Sequence, residues 1–271
     1  MKLTILGSAA AEAIPNPFCR CRVCETARRE GGVEVKARAS ALLDDTVLFD
    51  LGPDLLASAN RQGIYLGGLK ALLVTHRHAD HWLVQNLHWR EPTFTPTPTA
   101  QLAIYGPQDA MEVLTSDAAE AANFTFQPVT AGDRWSVDDY QIIAIPATHG
   151  GGNLEPLLYV VEREGRRIFY ATDTAPLKEN AWRLLRSMGP MDVVLLDATS
   201  GHRSGGEAHH GIAQFLETRA RMMQEGLIRD DRTKLVAYHF SHNGGLTHRE
   251  AVEAYGRHDV VVAYDGMVLT V

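Results

Sequence analysis

Thr75-His76-Arg77-His78-Ala79-Asp80-His81 packs four metal-ligating side chains into six residues, directly after the apolar run Leu69 to Val74. Imidazole and carboxylate together suit zinc, manganese or iron rather than calcium or magnesium. In so short a turn the four cannot all point at one ion, so two adjacent ions are the simpler geometry. A solvated polar turn with chance histidines is the plain alternative. The coincidence of four ligand-type residues with a strand end weighs against it.

Other acids and histidines fall in the same kind of place. Asp50 follows Val47-Leu48-Phe49, His149 follows the run Ile142 to Ile145, and Asp173 follows Ile168-Phe169-Tyr170. Asp197 follows Val193 to Leu196, and His239 follows Leu235-Val236-Ala237. Each alone reads as a turn aspartate or a satisfied histidine. Together with the first run they predict heads converging on one sheet edge, where a rigid scaffold leaves room for a cleft.

The strand-like runs begin with Met1 to Leu6 and continue with Leu42 to Phe49, Leu69 to Val74, Leu102 to Tyr105, Tyr140 to Ile145, Leu157 to Val161, Arg167 to Ala171, Val193 to Leu196, Leu235 to Tyr238, Val260 to Tyr264 and Met267 to Val271. They are short, rich in Val, Ile and Leu, and bounded by Gly, Asp or Pro, as buried strands are. Helical stretches are expected over Asp54 to Gln62, Asp80 to Trp89, Gln108 to Ala122, Lys178 to Met188, Gly211 to Gln224 and His248 to Arg257. Thr247 caps the last, with Glu250 in capping-box position. Asp265-Gly266 between two strand runs signals a hairpin. The Pro-rich segment Glu91 to Pro98 reads as an extended surface loop able to overhang the site. This is an α/β pattern of sheets with helices outside, in one domain over 1–271.

Composition narrows the partners. A chain of 271 residues with 45% hydrophobic and 22% charged residues has ample core. Its formal charge of -7 offers no basic field for a long polyanion, so a small substrate is expected and nucleic acid is not. No apolar run approaches the roughly 20 residues that span a membrane. The opening residues are too short for a signal-peptide core, and the expected compartment is the cytosol.

All three cysteines lie in Cys19-Arg20-Cys21-Arg22-Val23-Cys24. An odd number so close together in a reducing compartment argues for a metal short of one ligand, which a histidine could supply, rather than for disulfides. Arg20 and Arg22 favour the thiolates. A structural zinc pinning the loop near 19–24 is expected ahead of plain free thiols.

The chain resembles the metallo-β-lactamase superfamily, whose T-H-x-H-x-D-H signature stands as Thr75 to His81. The resemblance implies an αββα sandwich of two mixed sheets. It makes His76, His78 and His149 ligands of one ion, Asp80, His81 and His239 ligands of the other, and Asp173 their bridge. Asp50 matches an acid that orients a ligand. More closely, Cys19-x-Cys21-x-x-Cys24, His239-Phe240-Ser241-His242 and Tyr264-Asp265-Gly266-Met267 resemble the cyclic phosphodiesterases that accompany carbon-phosphorus lyase in phosphonate use. That family's pattern places His242 as fourth ligand of the structural zinc and His209, opening His209-His210-Gly211-Ile212, as the histidine that serves the leaving oxygen. His210 is read as a solvated loop histidine. Asp80 and Asp50 join His209 as residues expected to carry catalysis.

The resemblance implies two active-site ions, manganese or zinc, one structural zinc, a small phosphodiester substrate such as a ribosyl cyclic phosphate, and a homodimer. Two departures bear on the substrate: the opening Gly7-Ser8-Ala9-Ala10-Ala11-Glu12-Ala13 is less glycine-rich than the relatives', and Trp82-Leu83-Val84 replaces a glycine-containing turn. Gly150-Gly151-Gly152 beside His149 could admit a phosphate to the backbone or be a plain turn. Other readings are a pyrroloquinoline-quinone-biosynthesis-type protein, a non-enzymatic metabolite carrier, and a tRNA 3′-processing nuclease. The last needs a basic arm, and no Lys/Arg cluster supplies one.

Elemental analysis of the purified protein should find more than two metal ions per chain, with Cys19→Ser removing one. Fewer than two, unchanged by Cys19→Ser, would contradict a separate thiolate site.

Overall fold

The computed structural model describes residues 1–151 and 154–271, so the Gly152 end of the glycine run lies outside the described residues. In chain order the strands are β1 (Lys2–Gly7), β2 (Ser40–Leu43), β3 (Val47–Phe49), β4 (Ala71–Leu73), β5 (Leu102–Gly106), β6 (Phe124–Pro128), β7 (Arg134–Val137), β8 (Tyr140–Pro146), β9 (Leu157–Arg163), β10 (Arg166–Ala171), β11 (Val193–Asp197), β12 (Lys234–Tyr238), β13 (Val261–Val262) and β14 (Val268–Thr270). The α-helices are α1 (Arg22–Glu30), α2 (Leu55–Gln62), α3 (Gln108–Met111), α4 (Ser116–Ala121), α5 (Glu179–Arg186), α6 (Ile212–Gln224) and α7 (His248–Gly256).

Two mixed seven-stranded sheets result, ordered β14-β1-β2-β3-β4-β5-β6 and β13-β12-β11-β10-β9-β8-β7. Strands β3 to β6 pair in parallel, as do β10 to β13, which leaves their C-terminal ends along one edge of each sheet. The metal-type residues expected at strand ends therefore share a rim. Phe49 and Leu73 face the inter-sheet core with Ile142, Tyr159 and Tyr170, while Leu48 and Leu72 face an outer cluster with Leu55, Leu87 and Met111. Strands buried on both faces read as unbroken apolar runs, which is why the sequence marked them so plainly. Trp182, Phe215 and Tyr255, from α5, α6 and α7, are fully buried.

Four expectations are corrected. The run Leu42 to Phe49 is two strands, because Asp44 and Asp45 turn the chain with φ of 49° and 56°. Asp80 to Trp89 holds no α-helix. Leu51 N–H donates to His81 O at 2.7 Å and Leu83 N–H to Leu51 O at 2.8 Å, so a bridge to the chain beyond β3 takes this backbone and leaves only a 3-10 turn over Val84–Arg90. Gln108 to Ala122 breaks into α3 and α4 where the Thr115 hydroxyl accepts from Ala118 N–H at 3.3 Å. Asp265-Gly266 joins β13 of one sheet to β14 of the other and is no hairpin; the Asp265 carboxylate instead accepts from Ala37 N–H at 2.6 Å and from the Ser8 hydroxyl at 2.8 Å.

Helix α1 and strands β6 and β7 carried no clear periodic signal. No helix among the described residues is long and apolar enough to cross a membrane.

The capping box at α7 forms as expected: Thr247 Oγ1 accepts from Glu250 N–H at 3.3 Å, and Glu250 Oε2 accepts from Thr247 N–H at 2.9 Å. Thr247→Ala should cost about 1 kcal/mol of unfolding free energy. An unchanged denaturant midpoint would show that the cap contributes nothing.

Candidate metal centre

Asp50, Asp173 and His239 leave their strands with left-handed φ of 62°, 48° and 65°. For non-glycine residues that conformation costs roughly 1–3 kcal/mol and persists only where the surroundings over-determine it. Each side chain is turned inward by the kink. The histidine run after β4 meets them at the same rim.

Two donor sets, each with its atoms within 4.8 Å of one another, hold the expected ligands, His76, His78 and His149, and Asp80, His81, Asp173 and His239; a third, Asp173, Asp197, His209 and His239, overlaps the second. In the first, His76 Nε2 lies 2.9 Å from His78 Nδ1, which lies 3.4 Å from His149 Nε2. In the second, His81 Nε2 lies 3.1 Å from Asp80 Oδ2 and 2.6 Å from Asp173 Oδ2, and His239 Nε2 lies 3.5 Å from Asp173 Oδ2. Asp173 Oδ2 is also 3.6 Å from His76 Nε2. Asp173 thus stands between the sets.

Hydrogen bonds behind the histidines fix which nitrogen faces the centre. His81 Nδ1 donates to Asp50 Oδ2 at 2.8 Å, and His149 Nδ1 donates to Ala208 O at 3.1 Å. His76 Nδ1 lies 3.0 Å from Thr75 Oγ1, whose own proton goes to Asp50 Oδ1 at 2.9 Å, and His239 Nδ1 lies 2.8 Å from Thr199 Oγ1. With Nδ1 donating outward, Nε2 of each ring presents a lone pair inward. His239 Nε2 is a buried atom without a hydrogen-bond partner, and His81 Nε2, equally buried, meets only the Asp80 and Asp173 carboxylates.

The donor chemistry fits cations. Asp50, Asp173 and Asp197 are buried and Asp80 is nearly so, and buried carboxylates need compensation. Among the described residues lining the cleft, Arg203 is the one Lys or Arg. Burial opposes a charge on His81, yet Asp50, Asp173 and Asp80 raise its pKa well above the histidine range. That acid surplus is what divalent ions would neutralise.

Asp197, which the sequence placed at a strand end without a role, is a hub. Its carboxylate accepts from Thr199 N–H and Oγ1–H at 3.1 and 3.0 Å, from His210 N–H at 2.9 Å, and from His209 Nδ1 at 3.0 Å. Its lone pairs are spent on these donors, so it holds residues rather than an ion. Burial disfavours a charged His209, but the Asp197 hydrogen bond raises it to about 9. With Nδ1 engaged, the other ring nitrogen is free for the cleft. His210, expected in solvent, is instead fully buried, with Nδ1 2.6 Å from Thr174 O and Nε2 2.9 Å from Thr218 Oγ1. The adjacent histidines part because His210 is pulled under α6.

Cys19, Cys21, Cys24 and His242 form a second cluster, with no disulfide. His242 Nδ1 is 3.5 Å from Cys21 Sγ and 3.7 Å from Cys19 Sγ. Three sulfurs and one imidazole suit zinc. Arg22, expected to favour thiolates, spends its guanidinium on Glu250 at 2.8 Å and on Gly245 O at 2.7 Å.

A cleft of about 440 Å³ opens over the donors, lined by His78, Asp80, His149, Asp173, His209 and His239 and walled by Glu12, Arg203, Ser241 and Asn243. The Pro-rich segment does not overhang it. Thr95 lines a leucine-rich hollow on the outer face of the first sheet instead.

The chain matches the model of the β-lactamase superfamily domain over residues 45–257. Among solved structures it is similar to a diphosphatase from the PhnP family, with TM-score 0.77 and 23% identity over 99% of this chain and 96% of that one. It is also similar to Zn(2+)-bound PqqB from Methylobacterium extorquens, with TM-score 0.68 and 19% identity over 100% of both chains. These likenesses show the fold. Among curated proteins it is similar to ribonuclease Z from Mycobacterium bovis, 28% identical over 198 residues, or 65% of this chain and 64% of that protein. The chain spans less than two thirds of the length of the curated relatives it matches first.

Since Asp50 aims His81, Asp50→Ala should weaken metal binding at the Asp80 set about 10- to 100-fold, read by chelator competition. Wild-type affinity in that variant would remove Asp50 from the centre.

Proposed function

The chain belongs to the β-lactamase superfamily of metal-dependent hydrolases, and from that premise we propose that it is a phosphodiesterase acting on a small cyclic phosphodiester, such as a ribosyl cyclic phosphate. The observation that carries this reading is one open cleft with two donor sets joined by Asp173 on its floor and the Asp197-held His209 beside them. By donor type the floor would hold manganese or zinc through His76, His78, His149, Asp80, His81, Asp173 and His239, and the cysteine cluster zinc. Two divalent ions bound there supply an acidified water and a clamp on phosphate oxygens.

The chain's own groups do the rest. Asp50 and Thr199 keep the imidazoles aimed. His209, its Nδ1 fixed on Asp197, gives a proton from the opposite ring nitrogen to the departing alkoxide, which would otherwise leave as a strong base. A small substrate suits both the cleft volume and the scarcity of cations around it. We read the protein as cytosolic and, on the resemblance to the phosphonate-pathway cyclic phosphodiesterases, as a homodimer.

The likeness to ribonuclease Z favours a second reading, a nuclease on the same metals. A net charge of -7 speaks against a polynucleotide.

The purified protein with added Mn should hydrolyse bis(p-nitrophenyl) phosphate and a 2′,3′-cyclic nucleotide, and Asp80→Ala should abolish both. His209→Ala should lose about 100-fold or more in kcat on the cyclic nucleotide but less on the nitrophenyl ester, whose phenolate leaves without a proton. No turnover of either ester by wild type would favour a metabolite carrier. Faster cleavage of precursor tRNA would favour the nuclease.

A further inference from the structure

Glu12 belongs to neither metal cluster and touches the surroundings of both. Its carboxylate lines the substrate cleft, with the side chain 24% exposed. The same Oε1 accepts a hydrogen bond from the Ser241 hydroxyl, lies 3.3 Å from Asn243 Nδ2, and lies 3.5 Å from His242 Nε2. Ser241 and Asn243 are themselves cleft-lining residues, flanking the histidine of the cysteine cluster. The chain bearing Glu12 is zipped to that histidine's segment: Phe240 N–H donates to Ser8 O and Ala10 N–H to Phe240 O, both at 2.9 Å.

Tautomer chemistry gives the contact a direction. His242 Nδ1 is the nitrogen that faces Cys19 and Cys21 Sγ, so with Nδ1 as ligand the proton sits on Nε2 and needs an acceptor. Asn16 presents Nδ2 to Nε2 at 3.4 Å, because its Oδ1 already accepts from Phe18 N–H at 2.9 Å. A carboxylate is then the acceptor in reach. A carboxylate behind a ligating imidazole fixes its orientation and strengthens it as a ligand.

We propose that Glu12 is a positioning residue that couples the cysteine-histidine zinc site to the substrate cleft, so that zinc occupancy sets the cleft wall of Glu12, Ser241 and Asn243. Zinc holds His242, His242 holds Glu12, and Glu12 holds the two polar groups facing the substrate. The cleft half of this inference rests on the phosphodiesterase reading; the zinc half does not.

The test uses full-length protein with Mn in the dinuclear centre, so that zinc reports on the thiolate cluster. Zinc affinity is measured by chelator competition, and KM and kcat with bis(p-nitrophenyl) phosphate. Glu12→Ala should bind zinc about 10- to 100-fold more weakly. With the wall released, KM should rise about tenfold while kcat changes little. Glu12→Gln, which keeps an acceptor oxygen, should recover most of both, and wild type stripped of zinc should reproduce the raised KM. Unchanged zinc affinity in both variants would overturn the proposal, as would a KM indifferent to zinc removal in wild type. Should Glu12→Ala fail to fold, Glu12→Gln and zinc withdrawal from wild type decide alone. Absence of ester hydrolysis by wild type would fail the phosphodiesterase reading instead; zinc affinity and the affinity for inorganic phosphate, with and without zinc, then decide this one.

Discussion

The buried carboxylate of Asp50 is the constraint on which the rest depends. It accepts from Thr75 N–H and Oγ1–H at 2.8 and 2.9 Å, from His81 Nδ1 at 2.8 Å, and from the Tyr170 hydroxyl at 3.2 Å. Those donors belong to the histidine run and to β10 of the opposite sheet. One side chain therefore ties the end of β3 to the run after β4 and to the facing layer, and the stacking of Phe49 on Tyr170 at 4.6 Å keeps water from the junction. A carboxylate so deep is tolerable because its oxygens are satisfied and cations would sit beyond His81.

From that anchor the centre is built outward by repetition of one device. A strand ends, the chain kinks into left-handed backbone, and a carboxylate or imidazole is turned inward with its far atom tied down. Asp50 ties His81, Thr75 ties His76, and Thr199 with Asp197 behind it ties His239. The backbone strain at Asp50, Asp173 and His239 is carried by these bonds and by the two packed sheets. A rigid double layer can hold close-set donors that a loop could not.

Different residues were legible to different degrees. The ligand-type residues of both clusters stood out because their chemistry is carried by residue identity and by close spacing, as in His76 to His81 and Cys19 to Cys24. The strands were legible because burial on both faces leaves an apolar signature. Asp197 was visible only as a strand-end acid, since five donors converge on it from Thr174, Thr199, His209 and His210, and none of that is local. His210 looked like a loop histidine because nothing in the sequence shows α6 covering it. The expected helix after Asp80 failed for a similar reason: pairing with Leu51 overrode local pattern.

By itself the sequence determined an α/β chain with metal-type residues at its strand ends and a thiolate loop, because ligand chemistry, turn chemistry and apolar periodicity are properties of short stretches. Only the tertiary structure decided that Asp265-Gly266 crosses between sheets, that His210 is buried under α6, that Asp197 gathers its five donors, and that Glu12 lies between zinc cluster and cleft. Those facts depend on contacts between residues far apart in the chain, which are set by how two sheets pack and twist against each other.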